Sequence, residues 1–237
     1  MAAALPAWGE MASAEVWQTL LAPGFAPGDQ GDGTWLTALP DGRGLRQPIR
    51  VLPGTTDRGI ASLIVTQASF SVLDALLDAL ADRVRGLDAE VIVGLPTLGL
   101  PVAEGLARRL GHARYVALGT SRKFWYDARL CEPLRSITSP DTDKRLWIDP
   151  RTVAWCGGRR VLLVDDVVST GASMGAALRL MQRVGIRPVG LACCMAQGHA
   201  GRDVRQTLAP DAAFAYAIET PLLELDGGTW IPRRAEG

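Results

Sequence analysis

Across residues 68–85 the apolar positions Val72, Leu73, Leu76, Leu77, Leu80 and Val84 recur every three or four residues. That period predicts a helix with one buried face, and Gly86 closes it. The next run, AEVIVGLP, is short and wholly apolar at its centre, which predicts a strand covered on both sides. Residues 99–110 predict a second helix, ended by Gly111, and ARYVAL a second strand. RVLLVDD predicts a third strand, residues 170–184 a helix ending at Gly185, PVGLACCM a fourth strand and AFAYAIE a fifth. Strand and helix alternate over residues 68–195. The expected class is therefore α/β, with a mainly parallel twisted sheet flanked by helices.

The two ends read differently. Residues 1–33 are rich in Ala, Gly and Pro, with a short helix expected around residues 13–21. TWLTALP and RQPIRVLP lie on either side of Asp41-Gly42-Arg43-Gly44, the pattern of a hairpin with a glycine-rich turn. Residues 1–60 are expected to form a small flanking subdomain, 61–220 the core, and 221–237 a tail. Residues 119–150 show no clean periodicity and contain Pro133, Pro140 and Pro150. Connections longer than about 12–15 residues are uncommon in compact domains unless they are functional or disordered. Residues 119–143 are accordingly expected to be a mobile loop.

Composition narrows the function classes. Apolar residues are 48% of the 237 and charged residues 21%, a chain that buries a real core. Basic and acidic residues number 25 each. A constitutive nucleic-acid binder normally carries a positive excess, so no nucleic-acid partner is expected. Lys123 and Lys144 are the only lysines. The four cysteines form no CxxC pair and there are two histidines, which argues against zinc and for reduced, buried thiols in a cytoplasmic protein. No apolar run approaches the roughly 18 residues that span a bilayer. The first 17 residues lack a basic start and are broken by Pro6, Gly9 and Glu10, so neither a membrane association nor a signal peptide is expected.

Residues 160–178, RVLLVDDVVSTGASMGAAL, carry the chemistry. A buried strand delivers Asp165 and Asp166 at its C-terminal edge. The loop over residues 167–173 then opens a helix. Ser169, Thr170, Gly171, Ala172 and Ser173 are small, so their N–H groups can converge on one anion at the helix start, where the macrodipole also favours negative charge. Thr170 and Ser173 add hydroxyl donors. An ionised carboxylate only accepts hydrogen bonds, which suits sugar hydroxyls beside a bound phosphate. Together these features point to a phosphorylated sugar, bound outside the carboxyl ends of the strands. VLLVDD also resembles a receiver-domain strand or a Walker B strand. The acids here are far from the N-terminus and are followed by STGAS, and no G-x-x-x-x-G-K-[ST] occurs anywhere.

VLLVDDVVSTGAS resembles the phosphoribosyl-diphosphate (PRPP) motif of the type I phosphoribosyltransferases: an apolar strand, two acids, then T-G-x-[ST]. The resemblance covers residues 88–195 well and the ends hardly at all. It implies the type I phosphoribosyltransferase fold with a small variable hood. It also implies transfer of a phosphoribosyl group from PRPP to a nucleobase, with release of pyrophosphate. By this match Asp165 and Asp166 hold the ribose hydroxyls and, directly or through water, Mg²⁺. Residues 169–173 anchor the 5′-phosphate. Leu95, Pro96, Thr97, Leu98 and Gly99 contact pyrophosphate through main-chain N–H groups and the Thr97 hydroxyl. Arg122 and Lys123, matching the Arg-Lys start of the family's mobile loop, neutralise the diphosphate. In related dimers this loop reaches toward the neighbouring subunit's site, so a homodimer is expected.

Departures from the subfamilies bear on the base. The hypoxanthine/guanine type has an Asp immediately before Thr-Gly, where this chain has Ser169. The orotate type follows Arg-Lys with a second lysine and a His-Gly, where this chain continues FWYDARLCEP. The adenine type, with a small residue before Thr-Gly, fits better. It usually carries a glutamate in the hydrophilic part of the loop, where this chain has Asp141 and Asp143. A purine, adenine first, is the expected acceptor. The base-facing hood is assigned to residues 34–60, 220–233 or both. A non-catalytic PRPP- or nucleotide-sensing regulator on the same fold stands as the alternative.

Overall fold

The computed structural model describes residues 15–134 and 144–233. In chain order the elements are β1 (Leu20–Leu21), β2 (Gly28–Asp29), β3 (Thr34–Ala38), β4 (Gly44–Val51), β5 (Arg58–Ala61), α1 (Phe70–Val84), β6 (Val91–Gly94), α2 (Gly99–Arg109) and β7 (Val116–Ala117). They continue with β8 (Cys131–Pro133), β9 (Arg145–Trp147), α3 (Pro150–Cys156), β10 (Val161–Val168), α4 (Ala172–Arg183), β11 (Gly190–Gln197), α5 (Ala200–Leu208), β12 (Ala213–Thr220), β13 (Leu222–Asp226) and β14 (Thr229–Pro232). The chain divides into two units, Met1–Ala75 with Ile218–Gly237, and Leu76–Ala217.

The first unit is an antiparallel sheet in the order β14-β13-β5-β4-β3-β2, with β1 on β4. The β3–β4 hairpin runs in register from Thr34↔Pro48 to Ala38↔Gly44, around the glycine-rich turn read from the sequence. Trp35, Ile49, Ala61 and Leu223 form its apolar cluster, with Trp230 against it. The C-terminal residues therefore belong to this sheet: Leu222, Leu223 and Glu224 of β13 pair with Ile60, Gly59 and Arg58. The short helix expected at residues 13–21 is absent from its described part, residues 15–21. There the chain makes a turn and then the strand Leu20–Leu21, paired to Leu45 and Gly44. The reason is tertiary. The Trp17 amide donates to Arg46 O and its indole to Ser62 O, which fixes Trp17 at φ 61° instead of a helical angle.

The second unit carries the sheet β12-β11-β10-β6-β7, in which β10 is parallel to β6 and to β11, and β6 is parallel to β7. Val91, Val93, Val161, Leu163, Leu191 and Cys193 fill one cluster with Met174, Leu178 and Met181 of α4. Such strands carry no polar face because helices cover both sides. Two expectations are adjusted. β10 extends to Val168, so both aspartates lie within the strand, and α4 begins at Ala172. Residues 119–134 and 144–150 hold the antiparallel pair β8–β9, joined by Cys131↔Trp147 and Glu132↔Leu146. Residues 135–143, with Asp141 and Asp143, lie outside the described residues.

Candidate active site

β10 sits between β6 and β11 and points its C-terminal end at the start of α4. Successive residues of a strand ordinarily point to opposite faces, yet the carboxyls of Asp165 and Asp166 turn toward each other and share a hydrogen bond. Asp165 is 6% exposed and Asp166 is half-buried. Burial pushes the Asp165 carboxyl well above the ordinary 3.8, and the neighbouring Asp166 charge pushes it in the same direction. Asp166 is also raised by burial, opposed by its hydrogen bonds to Asp165 and to Val167. The Asp165 Oδ1 atom accepts the Asp166 N–H at 2.9 Å.

The turn after β10 supplies the donors. Gly171 caps α4 at φ 75°, the left-handed region that glycine enters without steric cost. A Cβ there would lie 2.5 Å from Val204 Cγ2 and 3.2 Å from Ala200 O, so α5 also enforces glycine. The first four N–H groups of a helix have no acceptor within it. At α4 the Ala172 N–H reaches only Thr170 Oγ1, at 3.4 Å. Asp165, Val167, Val168, Ser169, Thr170, Gly171, Ala172, Ser173 and Met174 enclose a cavity of about 160 Å³. The residues singled out at 169–173 and one of the two acids thus meet at one hollow. Asp166 does not line it. The Ser169 hydroxyl is also turned away, donating to Gln197 Oε1 at 2.7 Å, so Ser169 offers the hollow its backbone. Gln197 is buried at the end of β11. No motif announces Gln197; only the β10–β11 register, Val168↔Ala196, brings it alongside.

The loop after β6 approaches the same strand. A Cβ on Gly99 would stand 2.8 Å from both Asp165 Cα and Asp165 Oδ1, so α2 begins in contact with the acid. Two of the residues expected to donate N–H groups to an anion do not. The Leu95 amide is spent on Val164 O at 2.9 Å while its side chain is wholly buried in the core, and Pro96 has no N–H. Main-chain donation from this loop is left to Thr97, Leu98 and Gly99. Arg122 and Lys123 are exposed on the segment before β8 and do not line the cavity. The Arg122 guanidinium lies 5.6 Å from the centre of the Trp147 ring.

Two carboxylates with hard oxygen donors suit a small divalent cation. No group of three or more His, Cys, Asp or Glu side chains among the described residues could hold a metal ion. Mg²⁺ takes one or two protein carboxylates and completes its shell with water and substrate phosphates, and the hydrogen-bonded Asp165–Asp166 pair supplies carboxylates of that kind. A dication would also favour the ionised form of Asp165, which burial disfavours. The donor set fits the ion.

An open, mainly parallel sheet flanked by helices, with a glycine-capped helix start beside a buried acid, defines an α/β protein. The model of the phosphoribosyl transferase domain family matches residues 67–211. A curated relative, the adenine phosphoribosyltransferase of Frankia casuarinae, is 36% identical over 143 residues, 60% of this chain and 71% of that protein. The solved adenine phosphoribosyltransferase of Thermoanaerobacter pseudethanolicus superposes with a TM-score of 0.56 at 17% identity, covering 73% of this chain and 95% of the other. That of Rhodothermus marinus gives 0.54 at 21%, covering 73% and 94%. This chain belongs to the phosphoribosyl transferase family, has the type I fold, and is a phosphoribosyltransferase enzyme.

Proposed function

We propose that the enzyme transfers the phosphoribosyl group of PRPP to adenine, giving AMP and pyrophosphate. The observation that carries this reading is the hollow in which the Gly171-capped start of α4 faces Asp165. The likeness to curated adenine phosphoribosyltransferases, and Ser169 in place of an acid before Thr170, support adenine as the base.

In this reading the 5′-phosphate takes the N–H groups of residues 170–173 and the hydroxyls of Thr170 and Ser173. Asp165 and Asp166 accept hydrogen bonds from the ribose hydroxyls. The Thr97, Leu98 and Gly99 amides hold pyrophosphate, and Arg122 and Lys123 offset its charge. Mg²⁺, held by Asp165 and Asp166 directly or through water, would supply Lewis-acid neutralisation of the leaving group. Adenine N9 bonds to the anomeric carbon as the bond to the pyrophosphate oxygen breaks; the electron pair leaves with pyrophosphate and the N9 proton goes to solvent. Fixed donors aimed at the departing charge and tight positioning of the sugar supply the rate. A cytoplasmic homodimer in nucleotide salvage is part of the same reading.

Purified enzyme given Mg²⁺, PRPP and adenine should release pyrophosphate and form AMP, and light scattering on that preparation should give twice the chain mass. Turnover with another base, and none with adenine, overturns the base. PRPP binding without turnover across a panel of purines and pyrimidines overturns the catalytic reading in favour of a PRPP sensor. PRPP at 100 times its dissociation constant should stabilise the fold by about 2.7 kcal/mol.

A further inference from the structure

Glu132 is a buried acid that the reaction above does not use. Its side chain is 9% exposed, yet it lies on a short strand in the long excursion between β7 and α3. It is held by two guanidiniums: Arg179 Nε donates to Oε1 at 2.8 Å, and an Arg183 terminal nitrogen donates to Oε2 at 2.8 Å. Arg179 and Arg183 are four residues apart on α4, so they rise from one face of that helix. Burial opposes ionisation of Glu132, but the hydrogen bonds and charges of the two arginines outweigh it and hold the carboxyl below its usual range.

What the clasp joins gives it a role. One end is α4, whose first turn forms the anion hollow. The other end is β8, where Glu132 pairs with Leu146 and Cys131 with Trp147. Trp147 in turn bonds Gly119 through both backbone groups, at 2.8 and 2.9 Å, and carries the Arg122 guanidinium over its ring. A continuous chain of contacts therefore runs from the anion-binding helix through Glu132 and the β8–β9 pair to Arg122. The arrangement is costly for a surface loop, since a carboxylate is buried where a solvated one would serve. Truncating one member of a buried ion pair leaves the others uncompensated.

We infer that Glu132 is a positioning residue: it fixes the β8–β9 pair on α4 and so sets the placement of Arg122 and Lys123 relative to the 5′-phosphate hollow. This rests on the proposed roles of Arg122 and Lys123. Neither the motif nor the family match assigns any part to Glu132.

The test is a double-mutant cycle on full-length enzyme with Mg²⁺, reading kcat and KM for PRPP, and Kd for ribose 5-phosphate, which lacks the diphosphate. E132Q should lower kcat/KM for PRPP by about 10- to 100-fold, as expected when a charged group is misplaced by about 1 Å. Its ribose 5-phosphate affinity should stay within about twofold of wild type. In an R122A/K123A background E132Q should change kcat/KM less than about twofold, because the groups it positions are already gone. E132D should recover part of the loss. Equal losses in both backgrounds, no loss in either, or a parallel loss of ribose 5-phosphate affinity overturns the inference. Should E132Q not fold, R183M, which leaves the Arg179 pair intact, enters the same cycle with a smaller effect and the same criteria. If R122A/K123A itself leaves PRPP kinetics unchanged, the assigned role of the loop cations fails instead, so the two failures are distinguishable.

Discussion

At Asp165 stability and binding pull in opposite directions. The carboxyl is buried on β10 beside a second acid, and both burial and the Asp166 charge favour its protonated form. In the unfolded chain it titrates near 3.8. Folded, it keeps its proton to a higher pH, so across that window the native state binds more protons than the unfolded state. Stability from this group is therefore present at low pH and lost as pH rises through the folded value. Asparagine keeps the shape without the charge. D165N should be more stable than the free wild-type enzyme near pH 7 by about 1–3 kcal/mol. Its stability should also lose the decline on going from about pH 4 to pH 7. Urea melts at several pH values read both effects, and PRPP-dependent stabilisation should vanish in the same variant. A D165N enzyme no more stable than wild type at neutral pH would show that the buried acid is not strained.

Single elements carry similar divided loyalties. Helix α3 is only seven residues long and starts at Pro150, with Asp149 as its cap: the carboxylate accepts the Arg151 N–H at 2.8 Å. Its other oxygen accepts the indole N–H of Trp125 at 3.2 Å, so one side chain both starts the helix and seats the exposed aromatic pair Phe124–Trp125. D149A should destabilise the protein by about 1 kcal/mol, the usual loss on removing an N-cap. It should also shift Trp125 emission, by comparison with a W125F control. A change in stability with no change in emission would mean that the indole contact is incidental. The sequence reading placed no helix here, because seven residues are too few to show a period, and the Trp125 contact, 24 residues back, had none to announce it either.

For the whole molecule, the cysteines offer a global readout. Cys131, Cys156, Cys193 and Cys194 are free and buried, and burial pushes the Cys156, Cys193 and Cys194 thiols upward. A thiol reagent should label essentially none of them in the native enzyme within minutes and all of them in guanidinium, since only a thiolate reacts and only unfolding exposes it. Rapid native labelling of more than one would place local opening, not global unfolding, in control of the core. Melting temperature should not respond to reducing agent. No helix among the described residues is long and apolar enough to cross a membrane.

Whatever depends on local period and composition can be read from the chain alone. The apolar runs at β6, β10 and β11, the three- and four-residue spacing of α1, and the small residues between Asp166 and Met174 each state their conformation within a dozen positions. The parallel core was legible for that reason, as was the run of small residues now proposed to hold an anion. Contacts between residues far apart in the chain settle the rest. Trp17 is turned out of a helix by Arg46 and Ser62, and Leu222–Glu224 complete a sheet begun more than 160 residues earlier. The Leu95 amide is taken by Val164, the Ser169 hydroxyl by Gln197, and Glu132 is drawn inward by two arginines of α4. A buried donor or acceptor must find its partner wherever the fold brings one, and no periodicity in the chain encodes that address.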